Sequence, residues 1–230
     1  MSDPLKPAGP RHVVPFISEE NNSKSLHFSK DQLQSKMRNN QPDALELDYT
    51  KTMMGFLRLI RRPRHIAMIG LGGGSLAKHC YRKLPQTQIT VVEINPHVIA
   101  LRREFLVPDD NERFKVIEAD GADFVRDAPA EFDVLLVDGY DLAGQPPQLG
   151  SQLFYEHCHA LLLAQGVMAV NLHGFHPQYS LLMDRINRSF EGNTAEVAAN
   201  KEGNVIVFAG KDVPVSEHLL RGSVNFDYSA

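Results

Sequence analysis

Apolar and polar positions alternate in two rhythms along this chain. From His65 onward, short apolar runs predict strands: "HIAMIGL", "QITVVEI", "FKVIEAD", "FDVLLVD" and "GVMAVNL". Between them, 75–84, 96–106, 121–127 and 151–164 read as helices, and a further helix is predicted near 177–190. The runs are nearly continuous in apolar residues, as expected of a parallel sheet covered on both faces. Strand–helix alternation at this spacing predicts a doubly wound α/β sheet. "TAEVAANKEGNVIVFAG" then reads as strand, turn, strand, with Lys201-Glu202-Gly203-Asn204 as the turn. An antiparallel hairpin closing a parallel sheet is unlike the standard dinucleotide fold.

Upstream of His65 the pattern is weaker. "HVVPFISEENNSKSLHFS" predicts two short strands around a polar turn from Glu19 to Lys24. Pro42 interrupts the next segment. From there Leu45, Tyr49, Met53, Phe56, Leu57 and Ile60 recur at helical spacing and predict a helix over about 44–61. Residues 1–10 hold three prolines and a glycine and predict a loose tail. The expected organisation is a short extension over 1–62, a catalytic α/β domain over 63–212 and a tail over 213–230.

Composition narrows the class. Apolar residues make up 43% of 230, enough for a core, and the net charge of −4 implies no general affinity for nucleic acid. The basic cluster Arg58, Arg61, Arg62 and Arg64 reads as a solvated face before a strand. Two cysteines, Cys80 and Cys158, both in predicted helices, suggest no disulfide framework and fit a reducing compartment. No run of 18 apolar residues exists and the start lacks an apolar signal core, so a cytoplasmic protein without a membrane role is expected.

The candidate chemistry gathers where apolar runs end. In such sheets ligands bind beyond the carboxyl ends of the strands. The first run ends in "IGLGGGSL": Gly70, Gly72, Gly73 and Gly74 let backbone approach a ligand, and the helix that follows offers free N–H groups. Gly72-x-Gly74-x-x-Ala77 also fits a dinucleotide fingerprint, and a tight turn without a ligand fits too. Glu93 ends the second run, placed to accept from both hydroxyls of a ribose, or to serve as a charge at a helix start. Asp120, with Gly121 and Ala122, ends the third, where a carboxylate can accept an adenine amino group and a backbone N–H can reach a ring nitrogen. Glycines, Glu and Asp at three adjacent strand tips are the habit of class I methyltransferase-fold proteins.

The fourth run, "FDVLLVDGYD", ends with Asp138, and Asp141 follows in a loop. Two carboxylates at a crevice mouth suit a cationic substrate; one can take a proton from an amine if burial or neighbouring charge brings the pKa values together. The plainer alternative is that Asp138 caps the loop and Asp141 is solvated. Loop 140–150, with Gly144, Pro146, Pro147 and Gly150, is a candidate lid. Ten histidines invite a metal reading, but His157 and His159 face different sides of a helix, and no Cys or Glu joins His173 and His176 at ligand spacing, so no metal is expected.

With these residues in hand, the chain resembles the spermidine synthase family, the polyamine aminopropyltransferases, over roughly 26–210. "LQSKMRNNQPDALELDYTKTMM" looks like the family's segment before the first strand, with Gln34 and Tyr49 at its matching Gln and Tyr. "IGLGGGSL", "VVEINPHVI", "ADGADFV" and "FDVLLVDGYD" are similar to its glycine loop, ribose strand, adenine strand and catalytic D-x-x-D loop, and "QLFYEHCHALLLAQGVMAVNL" to its next helix and strand. The resemblance implies a seven-stranded methyltransferase-like sheet in the order 3-2-1-4-5-7-6. It implies an S-adenosyl sulfonium donor, ordinary or decarboxylated S-adenosylmethionine, an amine acceptor and a homodimer. It implies Asp138 as base, Asp141 and Tyr49 holding the amine, and Gln34, Glu93 and Asp120 on the donor. Two departures stand out. Gly73 occupies the place of the family's loop aspartate, and Leu142 the place of a proline after the second aspartate. The amino-terminal β domain also reads as cut down to about two strands. A methyltransferase and a catalytically silent nucleoside-binding scaffold are the alternatives, with NAD binding a distant further one.

Overall fold

The computed structural model describes residues 12–30, 32–142, 144–201 and 203–219. The predicted tail over 1–10 and most of that over 213–230 lie outside the described residues, as does Glu202 of the predicted turn. The strands are β1 (Phe16–Glu20), β2 (Ser23–Ser29), β3 (Gln32–Arg38), β4 (His65–Ile69), β5 (Gln88–Glu93), β6 (Phe114–Glu118), β7 (Phe132–Val137), β8 (Leu162–His173), β9 (Thr194–Ala198) and β10 (Asn204–Gly210). The helices are α1 (Asp48–Met53), α2 (Ser75–Lys83), α3 (Pro96–Ala100), α4 (Gly121–Asp127), α5 (Gln152–Leu161), α6 (Tyr179–Ser189) and α7 (Val215–Leu219).

The large sheet has seven strands in the order β6-β5-β4-β7-β8-β10-β9, which is the expected 3-2-1-4-5-7-6. β4 pairs parallel with β5 and β7, whereas β10 runs antiparallel to both β8 and β9. Strand alternation sends neighbouring residues to opposite faces, and each face has its own core. Met68, Val91, Leu136, Ala169 and Phe208 join one core with Met53, Phe56, Leu76 and Cys80. Ile69, Val92, Val137, Val170 and Val207 join the other with Phe154, Tyr155, Leu161 and Ile186. This is why the strands read as continuous apolar runs. Among the described residues no helix is long and apolar enough to cross a membrane.

Several boundaries differ from expectation. The extension holds three strands, not two: β1-β2-β3 form a separate antiparallel sheet. β1 and β2 pair Glu20 with Ser23, leaving a two-residue turn with Asn21 at φ 50°, a conformation asparagine tolerates. β3 buries Ser35 and Met37 and exposes Leu33, so its inward face contains a serine where a periodicity argument needs an apolar residue. The helix expected at 44–61 is α1 followed by a 3₁₀ turn, Met54–Arg58. The helix expected at 96–106 stops at Ala100, and the one expected at 151–164 stops at Leu161, where β8 begins at once. Loops feed the helices through side-chain caps: Asn95 accepts from His97 N, Asp120 from Ala122 N and Ser151 from Phe154 N.

Candidate active site

The carboxyl ends of β4, β5, β6 and β7 come together at one edge of the sheet, and they carry Gly70, Glu93, Asp120 and Asp138. The turn after β4 is held by backbone. Gly70 N donates to Val92 O at 2.8 Å, and Asp138 N to Ile69 O at 2.8 Å. Gly70 has φ +99°, and a Cβ there would lie 2.3 Å from the Asp138 carbonyl oxygen, so only glycine fits between β4 and β7. Gly72 and Gly74 also have positive φ. A Cβ on Gly72 would approach the backbone oxygen of Gln34 at 3.9 Å, which places β3 over the glycine loop.

Glu93 is tied into that loop. Its Oε2 accepts from Leu71 N at 2.9 Å, and its Oε1 from Asn95 N at 2.8 Å. Burial pushes its carboxyl upward, and backbone N–H groups of Leu71, Asn95, Gly72 and Ile94 oppose the shift. The two bonds at 2.8–2.9 Å fix the carboxylate at the mouth of the glycine loop. Asp120 accepts from Ala122 N at 2.7 Å through Oδ1 and from Gln148 Nε2 at 3.2 Å through Oδ2. Gln148 comes from the 3₁₀ turn Pro147–Gly150, so the candidate lid touches the candidate adenine end. Gly121 is pressed on Ile69 and Leu149, leaving no room for a Cβ.

Gly73 sits where the resemblance expects an acid. A Cβ there would lie 2.6 Å from Ser35 Oγ and 2.9 Å from Phe105 Cδ1. Ser35 is buried and its hydroxyl lies 3.1 Å from Ser75 Oγ, at the start of α2. Phe105 is held by buried Lys78, whose Nζ donates to the Phe105 carbonyl at 2.7 Å and whose pKa burial lowers to about 8. The space of a loop side chain is therefore filled from β3 and from the turn after α3.

Asp138 is the centre of the candidate acceptor end. Its Oδ1 accepts from Asn171 Nδ2 at 2.9 Å, and the Tyr49 hydroxyl of α1 donates to the same carboxylate. Burial pushes the Asp138 carboxyl above its ordinary value, and the two hydrogen bonds pull it back. Tyr49 is pushed well above the ordinary phenol range, first by burial and then by the Asp138 charge, so it stays a donor. Tyr140 donates to the Asn171 backbone oxygen at 2.9 Å. Asp141 is exposed, in a tight turn in which Asp141 N and Gly144 N each bond the other residue's carbonyl. Gln32 of β3 donates to the Leu142 carbonyl at 3.1 Å, linking the extension to this loop.

The structure thus gathers Gly70, Glu93, Asp120 and Asp138 on neighbouring strand tips, with Tyr49 on Asp138 and Gln34 beside Gly72. Sequence reasoning missed Asn171, Gln148, Tyr140 and Ser35. Only Asn171 left a signal, an amide near the end of an otherwise apolar run. Cys80 and Cys158 are free and buried, with the Cys80 thiol pushed up to about 12. His176 Nδ1 accepts from Gln178 N at 3.2 Å, and His173 stacks edge-on with Phe175. Among the described residues no group of three or more His, Cys, Asp or Glu side chains converges.

The spermine/spermidine synthase domain model matches residues 46–198, two-thirds of the chain. A polyamine aminopropyltransferase of Neisseria meningitidis serogroup A is 38% identical over 217 residues, covering 94% of this chain and 82% of the relative. The chain belongs to the spermine/spermidine synthase family. It is therefore a transferase by descent, and the family's fold is the one found here. A probable spermidine synthase of Corynebacterium glutamicum superposes with a TM-score of 0.73 at 22% identity, over 85% of this chain and 76% of that one. Human methyltransferase-like protein 13, in complex with SAH, superposes with a TM-score of 0.62 at 24% identity, over 75% and 87% of the two chains.

Proposed function

We propose that this member of the family transfers an aminopropyl group from decarboxylated S-adenosylmethionine to a cationic amine. The observation that carries the reading is the Asp138 carboxylate, raised by burial and held by Tyr49 and Asn171, one strand tip away from the loop that Glu93 pins. In this reading Glu93 accepts from the ribose, Asp120, Gly121 and Ala122 meet the adenine, and Gly70, Gly72, Gly73, Gly74 and Gln34 line the donor. Asp141 and Tyr49 hold the amine.

The chemistry follows from these positions. The acceptor arrives as an ammonium and gives a proton to Asp138. Its freed lone pair attacks the carbon next to the sulfonium, in line with the breaking bond. A C–N bond forms, the C–S pair passes to sulfur, and neutral methylthioadenosine leaves while the positive charge moves to the new amine. A raised carboxyl narrows the pKa gap to the ammonium; the remaining help is positioning. The test is incubation with decarboxylated donor and putrescine, reading methylthioadenosine. No product with any diamine between pH 7 and 10 removes the reading.

One observation favours a second reading. With Gly73 in the loop, no side chain at that position repels the carboxylate of ordinary S-adenosylmethionine. At about 4 Å and an effective dielectric near 20, one such charge pair is worth roughly 4 kcal/mol before desolvation. Methyl transfer from the ordinary donor is the consequence if calorimetry shows that donor preferred. We also propose a homodimer through the amino-terminal sheet, supported by exposed Phe16 and Leu33. A monomer mass by light scattering at micromolar concentration overturns it.

A further inference from the structure

We propose that Asn204, at the start of β10, is a positioning residue for the Asp138 carboxylate, acting through the side chain of Asn171. The inference rests on the reading of Asp138 as proton acceptor. Asn204 does not touch the site itself. Its Nδ2 donates to Asn171 Oδ1 at 3.0 Å, and Asn171 Nδ2 donates to Asp138 Oδ1 at 2.9 Å. Beyond it, Asn200 Nδ2 donates to Asn204 Oδ1 at 2.9 Å, and Asn204 N donates to Asn200 Oδ1 at 3.0 Å. β10 runs antiparallel to β8 with Asn204 opposite His173 and Ile206 opposite Asn171. One side-chain repeat along the strand brings the two amides to the same face.

The chain has a direction, and the direction is set at its far end. A side-chain amide has nearly the same shape either way round, so its partners must orient it. A backbone N–H can only donate. Asn204 N therefore turns Asn200 Oδ1 toward itself and leaves Asn200 Nδ2 to donate. That fixes Asn204 Oδ1 as acceptor and Asn204 Nδ2 as donor. Asn171 then has Oδ1 occupied and must present Nδ2 to Asp138. The hairpin backbone and the ionised carboxylate, which can only accept, thus demand the same orientation, and the hairpin keeps the donor in place when Asp138 is protonated. Asn171 is almost fully buried, so its other orientation would set two oxygens against each other without water to relieve them. Tyr140 clamps the same residue from the loop after β7 by donating to its backbone oxygen. The titratable groups facing Asp138 are the phenols of Tyr49 from α1 and Tyr140 from that loop; β8 presents the Asn171 amide.

The experiment is a carbon-13 NMR titration of the aspartate carboxylates in the full chain, with Asp138→Asn assigning the resonance. Wild type, Asn204→Leu and Asn204→Asp are compared. Leu deletes the link. Asp keeps the shape but offers only acceptors toward Asn171, turning its amide and setting an oxygen against Asp138. The Asp138 midpoint is expected to move up by about one pH unit in Asn204→Leu and further in Asn204→Asp. The acid limb of kcat/KM for the amine moves with it, while donor affinity by calorimetry stays within about twofold. An unmoved Asp138 midpoint in a folded variant overturns the proposal, as does donor affinity falling in step with turnover. Asn204→Asp also adds a charge that raises the midpoint by repulsion, so if Leu unfolds the hairpin the small, uncharged Asn204→Ser decides. Should wild type make no product with any amine, the reading of Asp138 as base fails, and the NMR titration still decides whether Asn204 controls that carboxylate.

Discussion

Replacing Gly70 with alanine tests how far the strand ends dictate the position of Asp138. Gly70 has φ +99°, and its missing Cβ would lie 2.3 Å from the Asp138 carbonyl oxygen and 2.9 Å from the carbonyl carbon. Both atoms are backbone, so nothing can swing aside. To reach an ordinary 3.4 Å contact the two strand ends must part by about 1 Å. The positive φ alone costs roughly 1–2 kcal/mol for an L residue. Gly192 supplies the control, because its φ is +74° and nothing lies within 4 Å of its missing Cβ. Gly192→Ala is expected to lose only the conformational part. Gly70→Ala adds the separation of β4 from β7, for a total of about 3 kcal/mol and a melting point lower by roughly 10 °C in a domain of this size. A 1 Å displacement of a reacting group can cost about a hundredfold in rate, and that is the expected loss of methylthioadenosine release below the melting range. The assay pairs a thermal melt with initial rates for wild type and both variants. If Gly70→Ala melts with Gly192→Ala and keeps more than half of wild-type turnover, the glycine does not set the Asp138 backbone.

Tyr49→Phe removes a donor from Asp138 and should raise its midpoint by about one unit, read in the acid limb of the rate profile. Glu93→Gln puts an amide N–H₂ against the backbone N–H of Leu71 or Asn95, and calorimetry should show donor affinity weakened tenfold or more. Stability carries the opposite sign at Asp138. Its folded carboxyl is raised by burial, so the folded state holds the proton more tightly than the unfolded chain. That contribution is full below the ordinary carboxylate value and is lost as pH climbs to the raised folded value. Asp138→Asn should therefore melt above wild type at pH 8, with the gap closing below about pH 4.

Strand order in the large sheet was legible because β4, β5, β7 and β8 are apolar on both faces, and because a hairpin after the last helix closes such a sheet in one way. β3 was not legible. Leu33, Ser35 and Met37 fall at alternate positions, but a bulge between Leu33 and Ser35 turns Leu33 outward while Ser35 and Met37 are buried, so simple alternation fails there. Helix ends were misread where a helix passes directly into other structure, as at Leu161, where neither glycine nor proline marks the change. Glu93, Asp120 and Asp138 could be found because charged residues ending apolar runs are conspicuous. Asn171 was passed over because an amide within such a run is equally consistent with a strand end. The packing of Ser35 and Phe105 around Gly73 joins segments far apart in the chain, and no local pattern announces it.

In the proposed reaction Asp138 accepts a proton from an amine beside a nucleoside sulfonium. Its most direct test is single-turnover release of methylthioadenosine by wild type and Asp138→Asn, each saturated with decarboxylated donor and diamine. The predicted result is release by wild type and a loss of at least a hundredfold in the variant, with donor still bound. Equal release by both proteins contradicts it.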